Sequence, residues 1–111
     1  MNLDVVCPTE VSKVFMQRMA NAMSVSFHKY GPVADAYPCG IDAMASARAR
    51  MRSYGQTGNS EYLVDAANFL MIEAMRPAHP DAHYDPKDSD ASPGRVTTAG
   101  ETTARTNDRL D

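Results

Sequence analysis

The segment from Glu61 to Met75 constrains the fold more than any other part of the chain. Its sequence, EYLVDAANFLMIEAM, is apolar around most of the circumference of a helix. A surface helix has one apolar stripe, whereas a helix that is apolar on nearly all sides is covered by neighbours on most of them. We therefore expect a central helix here, packed between other helices.

One narrow polar stripe interrupts this central helix. Glu61, Asp65 and Asn68 are spaced i, i+4 and i+7, so they share one face. Burying a carboxylate is costly unless it is paired with a charge or bound to a cation. The stripe is therefore expected to face a basic group, a ligand, a metal ion or water, and it is the starting point for a candidate site.

The ends of the first and third helices have recognisable signals. Thr9 is the expected N-cap of the first helix, which runs to about residue 29. Gly31-Pro32 ends it, because Gly suits the position after a helix and Pro cannot continue one. Asn59 or Ser60 is the expected cap of the central helix.

A second helix is expected over residues 41–54, with Gly55 as the residue that follows its end. Its large apolar residues define the predicted inner face: Ile41, Met44 and Met51. Arg48 and Arg52 fall on that same face, whereas Arg50 points the opposite way. The second helix is thus predicted to bring two arginines towards its neighbour.

The chain divides into a helical domain, residues 1–76, and a tail, residues 77–111, rich in Pro, Asp, Ser and Thr. The domain carries seven acidic and seven basic side chains. The tail carries seven acidic and four basic side chains, so the net charge of −3 resides in the tail. A neutral body with an acidic tail argues against DNA wrapping. We expect residues 79–95 to be partly ordered against the body through Tyr84, and the chain beyond Arg95 to be mobile.

Length and composition are those of a small soluble protein. Two cysteines, Cys7 and Cys39, are too few for a disulfide scaffold. We see no signal peptide, and no segment reaches the ~18 apolar residues of a membrane span. We expect an all-α cytoplasmic protein with three main helices, short connectors and a flexible acidic tail. Because the body is small and the central helix very apolar, we expect a homo-oligomer, a dimer through that helix.

The arginines and the polar stripe together suggest a site. Helices joined by a short loop are antiparallel neighbours, so Arg48 and Arg52 are expected to face the stripe. In one interpretation the arginines hold phosphate and Asn68 contacts a base or sugar, while Glu61 and Asp65 hold Mg²⁺ or accept hydrogen bonds from a base or ribose. In the other, the same charges form an internal salt-bridge network.

Three short sequence elements lie at corresponding places in the helices. Lys29-Tyr30-Gly31 ends the first helix, arginines are spaced along the second, and Asp65-Ala66-Ala67-Asn68-Phe69 lies in the third. Over about residues 10–76, the chain resembles the all-α nucleotide pyrophosphohydrolases, the MazG-like proteins, and small phage-borne helical domains associated with nucleotide modification. The resemblance implies a nucleotide ligand, with Lys29 and Tyr30 beside it.

The acidic residues depart from the pattern of active MazG-like proteins. These carry E-E-x-x-E on an early helix and E-x-x-D on a later one, whereas the first helix here offers only Glu10 and the residue three before Asp65 is Tyr62. The leading hypothesis is therefore binding or sequestration of a nucleotide-type phosphorylated ligand. The alternatives are an NTP pyrophosphohydrolase with a reduced Mg²⁺ site, and a non-enzymatic helical protein that docks a partner.

Overall fold

The computed structural model of the protein describes residues 9–36 and 40–87 and confirms the predicted all-α fold. Within those residues there are four helices and no strand: α1 (Lys13–Tyr30), α2 (Val33–Ala36), α3 (Ala43–Thr57) and α4 (Glu61–Met75). The three long helices are the predicted ones, and α2 is a single turn inside the predicted connector.

Ser12, and not Thr9, caps the N-terminus of α1. The Ser12 hydroxyl accepts a hydrogen bond of 3.0 Å from the backbone N–H of Phe15. Thr9 lies in a turn and donates its hydroxyl to the Glu10 carboxylate at 2.9 Å. The predicted cap was wrong because Ser and Thr both suit the position and the apolar periodicity does not define the first turn. Glu10 therefore lies outside the helix, and Gly31 ends α1 as predicted.

α3 continues beyond its predicted end at Tyr54. Gly55 lies inside the helix, so its predicted role as the terminating residue is wrong. Gly58 takes that role instead: it has φ 72°, and its N–H donates to the Tyr54 carbonyl oxygen at 2.7 Å. At the other end, the Asp42 carboxylate caps the helix by accepting a bond of 2.9 Å from the N–H of Ala45.

The short loop between α3 and α4 makes them packed neighbours, as predicted. Of the two candidate caps for α4, Asn59 supplies the side-chain hydrogen bond, since its Oδ1 accepts from the N–H of Glu61 at 3.0 Å. The Ser60 side chain makes no capping bond. The polar stripe of α4 therefore begins at Glu61, directly after the turn that the Asn59 side chain stabilises.

α4 is the central helix, because both α1 and α3 pack against it. The buried residues of α4 are Val64, Ala66, Asn68 and Ile72. Those of α3 are Ala43 and Ala47, and α1 has none. Within the described ranges the buried apolar core thus consists of five side chains, three of them alanine.

The face that α3 turns towards α4 differs from the predicted inner face. Ile41, Met44 and Met51 are exposed, and Ala43 and Ala47 are buried in their place. The prediction followed side-chain hydrophobicity, but the distance between two packed helices depends on the size of the side chains at the contact. Small residues allow the closer approach, and here they determine how α3 is rotated.

After α4, the described residues 77–87 form no helix or strand. Tyr84 is 89% exposed, so the predicted packing of this segment through Tyr84 is wrong. A single aromatic ring among Asp, Pro and His has too little apolar surface around it to offset the entropy of ordering. The predictions for the tail beyond residue 95 and for Cys7 and Cys39 concern residues outside the described ranges. In the described part of the chain, no helix has the length and apolar character that crossing a membrane requires.

The two glycines near the end of α3 should respond oppositely to alanine. Gly55→Ala should raise the free energy of unfolding by about 0.5–1 kcal/mol, because Gly55 is helical, has open space around it and loses more backbone entropy on folding than alanine. Gly58→Ala should lower it by about 1–2 kcal/mol, since an L-residue is strained at φ 72°. Urea denaturation followed by circular dichroism measures both, and shifts of the same sign would contradict this helix end.

Candidate functional site

A groove of about 680 Å³ lies between α1, α3 and α4. α4 lines it with the polar Glu61, Asp65 and Asn68, together with the apolar Phe69 and Ile72. The polar stripe predicted from the sequence therefore faces this groove. The wall opposite α3 is formed by the second half of α1.

Most of the residues proposed from the sequence meet in this groove: Lys29, Tyr30, Glu61, Asp65 and Asn68. Arg48 and Arg52 do not line it and are exposed on other sides of α3, so their predicted position facing the stripe is wrong. The cause is the packing of Ala43 and Ala47 against α4, which rotates α3 about its own axis relative to the predicted orientation. Arg50 is seven residues after Ala43 and therefore lies on the face that packs against α4.

Arg50 is the arginine that reaches the polar stripe. Its Nε lies 3.6 Å from the Asp65 carboxylate, and the two side chains are 39% and 33% exposed. Its guanidinium carbon also lies 5.4 Å from the centroid of the Phe69 ring, a cation–π contact. Arg50 has no further hydrogen-bond or ion-pair partner in the described part of the chain. Its terminal amino groups are therefore available to a ligand.

Asn68 is the one polar residue among the described ones that is buried, at 5% exposure. Its Nδ2 donates a hydrogen bond of 3.1 Å to the backbone carbonyl oxygen of Met19 on α1. Its Oδ1 is buried and has no hydrogen-bond partner among the described residues. Leaving such an acceptor unpaired costs about 1–3 kcal/mol. The bond to Met19 uses one of the two N–H groups of Nδ2 and sets the orientation of the amide, and the Oδ1 of this groove-lining residue is left as an unpaired acceptor among the described residues.

Lys29 and Tyr30 form the exposed edge of the groove at the end of α1. The Lys29 ammonium nitrogen lies 5.8 Å from the centroid of the Tyr30 ring. Both side chains are exposed, so this contact is weak and leaves each of them free to rotate towards a bound molecule. The groove thus has one cationic group on the α1 wall and another, Arg50, on the α3 wall.

The carboxylates alone do not form a full set of metal ligands. Glu61 and Asp65 are one turn apart on α4, and Asp65 is already paired with Arg50. Among residues 9–36 and 40–87, no three His, Cys, Asp or Glu side chains are grouped so that they could hold a metal ion. Glu10 precedes α1 and does not line the groove, so it adds no ligand there.

No protein-family model matches the chain, and no curated protein or solved structure is significantly similar to it. Of the three sequence elements described above, two line one groove: residues 29–31 from the end of α1, and Asp65, Asn68 and Phe69 from α4. Of the arginines spaced along α3, only Arg50 lines it. The two elements from α1 and α4 are separated by more than thirty residues in the sequence. Their meeting is a property of the fold that their sequence positions alone do not predict.

Arg50 is the site residue that the sequence analysis missed. The signal for it is the spacing of Ala43, Ala47 and Arg50 at i, i+4 and i+7, which places an arginine in line with two small residues. A helix face of alanines ending in an arginine predicts a close helix contact with the guanidinium at its border. The prediction instead took the face of Met44 and Met51 as the inner one, because these residues are the more hydrophobic.

Alanine substitutions along α3 should distinguish Arg50 from its neighbours. Arg50→Ala should lower the free energy of unfolding by about 1 kcal/mol, from a partly exposed ion pair and one cation–π contact. Arg48→Ala and Arg52→Ala should each change it by less than about 0.5 kcal/mol, because both are exposed surface residues. Urea denaturation of the three variants tests this. An Arg48→Ala or Arg52→Ala effect as large as that of Arg50→Ala would contradict the rotation of α3.

Proposed function

We propose that the groove between α1, α3 and α4 binds a nucleotide-type phosphorylated ligand. The observation that carries this proposal is the Asn68 Oδ1, a buried acceptor without a partner among the described residues, in the wall of a groove with a cation on each side. A buried polar group that the protein itself does not satisfy is costly, and a ligand donor removes that cost.

The lining residues match the chemical groups of a nucleotide. Asn68 accepts a hydrogen bond from an amino or N–H group of the base. Arg50 and Lys29 supply the positive charges for phosphate, Arg50 through paired N–H donors that suit phosphate oxygens. The exposed ring of Tyr30 offers a surface on which a base can stack. The groove volume of about 680 Å³ is within the range of small-molecule sites.

The balance of charge in the groove supports a ligand with both anionic and donor groups. Lys29 and Arg50 are matched by Glu61 and Asp65, so the groove is not a general anion site. The two carboxylates accept hydrogen bonds from ribose hydroxyls, or from the water shell of a Mg²⁺ ion carried by the phosphates. Two carboxylates are few for a hydrolase that uses two metal ions. The proposal is therefore binding or sequestration rather than turnover.

A partner helix is the second candidate for this groove. Its lining includes three exposed apolar side chains: Val25, Tyr30 and Ile41. An amphipathic helix of another protein buries such residues in a groove of this kind. It does not by itself supply a donor for the Asn68 Oδ1, and for that reason the small polar ligand is the favoured occupant.

Thermal unfolding with a panel of nucleoside mono-, di- and triphosphates, with and without Mg²⁺, tests the proposal. A nucleotide at about 100 times its Kd should stabilise the wild-type protein by about 2.7 kcal/mol, which raises the Tm by several degrees in a body of this size. Release of pyrophosphate from a triphosphate with Mg²⁺ would instead favour the hydrolase alternative. If no nucleotide raises the Tm, the groove does not bind this class of ligand.

Asn68→Leu separates a binding role from a structural one. It should change the stability of the free protein by less than about 1 kcal/mol, because the unpaired Oδ1 is removed and the Met19 carbonyl keeps its partner inside α1. It should weaken nucleotide binding by about 1–3 kcal/mol, roughly 5- to 150-fold, since the ligand donor loses its acceptor. Calorimetric titration measures the affinity. Unchanged affinity would contradict the role given to Asn68.

Arg50→Ala and Arg52→Ala form a matched pair in the same titration. Arg50→Ala should weaken binding by about 1.5–3 kcal/mol, the usual contribution of a charged hydrogen bond. Arg52→Ala removes the same charge from an exposed position outside the groove and should leave the affinity unchanged. Equal losses in the two variants would point to general electrostatic attraction rather than to a site at Arg50.

A further inference from the structure

The side of α4 that faces away from the groove carries a second surface, which is apolar. It consists of Leu63, Ala67, Leu70 and Ala74, none of which lines the groove. At 3.6 residues per turn, this apolar stripe lies about 180° around the helix from the polar stripe. Leu70 is 45% exposed and Ala74 is exposed, whereas Leu63 and Ala67 are partly buried, so α1 and α3 leave the C-terminal half of the stripe open.

The spacing of the apolar stripe is that of a helix pair. Its members are separated by four, three and four residues, the seam spacing of a coiled coil. The stripe contains no charged residue, and leucine and alanine alternate along it. Alanine at every second seam position allows close approach of another helix, and at a close approach a small residue opposite each leucine gives the better packing.

The order of large and small residues identifies a second copy of this chain as the partner. When two α4 helices pack antiparallel about a two-fold axis between Asn68 and Phe69, Leu63 of one copy faces the partner's Ala74, and Ala67 faces the partner's Leu70. Each layer then contains one large and one small side chain, and the surface is complementary to itself, as a two-fold interface requires. A parallel pairing would place leucine on leucine and alanine on alanine.

The small core of the chain gives a reason for this pairing. The described residues contain five buried apolar side chains, three of them alanine, which are few for a domain of this size. Small domains commonly obtain further burial by oligomerisation. Residues 88–111 contain only Val96 and Leu110 as large aliphatic residues, so that segment is poorly suited to cover the stripe. A second copy supplies the missing apolar surface.

α3 widens the surface beyond the apolar stripe of α4. A stable interface covers about 800 Å² on each partner, more than one stripe on a helix about 22 Å long provides. Met44 and Met51 are exposed on the side of α3 away from Arg50, and so on the same side of the α3–α4 pair as the apolar stripe. We infer that two copies of the chain pair through this surface, with their α4 helices antiparallel. The nucleotide groove, on the opposite side, stays open in the dimer.

Sedimentation equilibrium of the full chain tests the pairing. The wild type should be a dimer at micromolar concentration, and Leu70→Glu should raise the dimer dissociation constant by about a hundredfold or more, because a carboxylate is then buried in the interface. Val14→Glu places the same charge on an exposed apolar residue of α1 and should leave the dimer unchanged. A monomeric wild type, with the stripe open or covered by residues 1–8 of the same chain, would overturn the inference, as would a dimer that survives Leu70→Glu.

An exchange of side chains within one layer tests the antiparallel register. Ala67→Leu should raise the dissociation constant about tenfold, because it puts a second large side chain in the layer that holds the partner's Leu70. Ala67→Leu combined with Leu70→Ala should restore the dissociation constant to about the wild-type value, since each layer again has one large and one small residue. Tighter pairing in Ala67→Leu alone, or no recovery in the double variant, would overturn the register. Nucleotide binding should persist in Leu70→Glu, so the two proposals can fail separately.

Discussion

The contact of Ala43 and Ala47 with α4 is the constraint on which the rest of the structure depends. These two side chains set the distance between α3 and α4 and the rotation of α3 about its own axis. That rotation brings Arg50 to Asp65 and Phe69 and turns Met44 and Met51 to the other side. One packing choice therefore determines both the charge of the groove and the apolar character of the opposite surface.

The hydrogen bond between Asn68 and Met19 links α1 to the same arrangement. It holds the Asn68 amide with its donor towards α1 and leaves the acceptor without a protein partner among the described residues. The contact between α1 and α4 and the acceptor in the groove are thus connected through one side chain. If both the donor and the acceptor of the amide had protein partners, the helical body would be more stable. No acceptor would then remain for a ligand.

Local periodicity predicted those features that depend on one helix at a time. The central position of α4, its polar stripe of Glu61, Asp65 and Asn68, and the all-α fold follow from spacing within a short segment. Which arginine of α3 reaches the groove does not follow from such spacing, because it depends on how two helices approach each other. Either Met51 or Ala47 could face α4. The structure places Ala47 there, although Met51 is the larger and more hydrophobic side chain. The N-cap of α1 and the end of α3 were predicted at the wrong residues for a related reason. In each case more than one nearby residue suits the position.

The most direct test of the proposed nucleotide site is a titration followed by nuclear magnetic resonance. Adding the nucleotide that raises the Tm most to labelled protein should produce saturable shifts in the Asn68 side-chain amide and its carbonyl carbon, in the Arg50 Nε–H and in the backbone of Lys29. Resonances of Leu70 and Ala74, on the opposite side of α4, should stay in place. Shifts confined to that opposite side, or shifts that do not saturate, would contradict a nucleotide site in the groove.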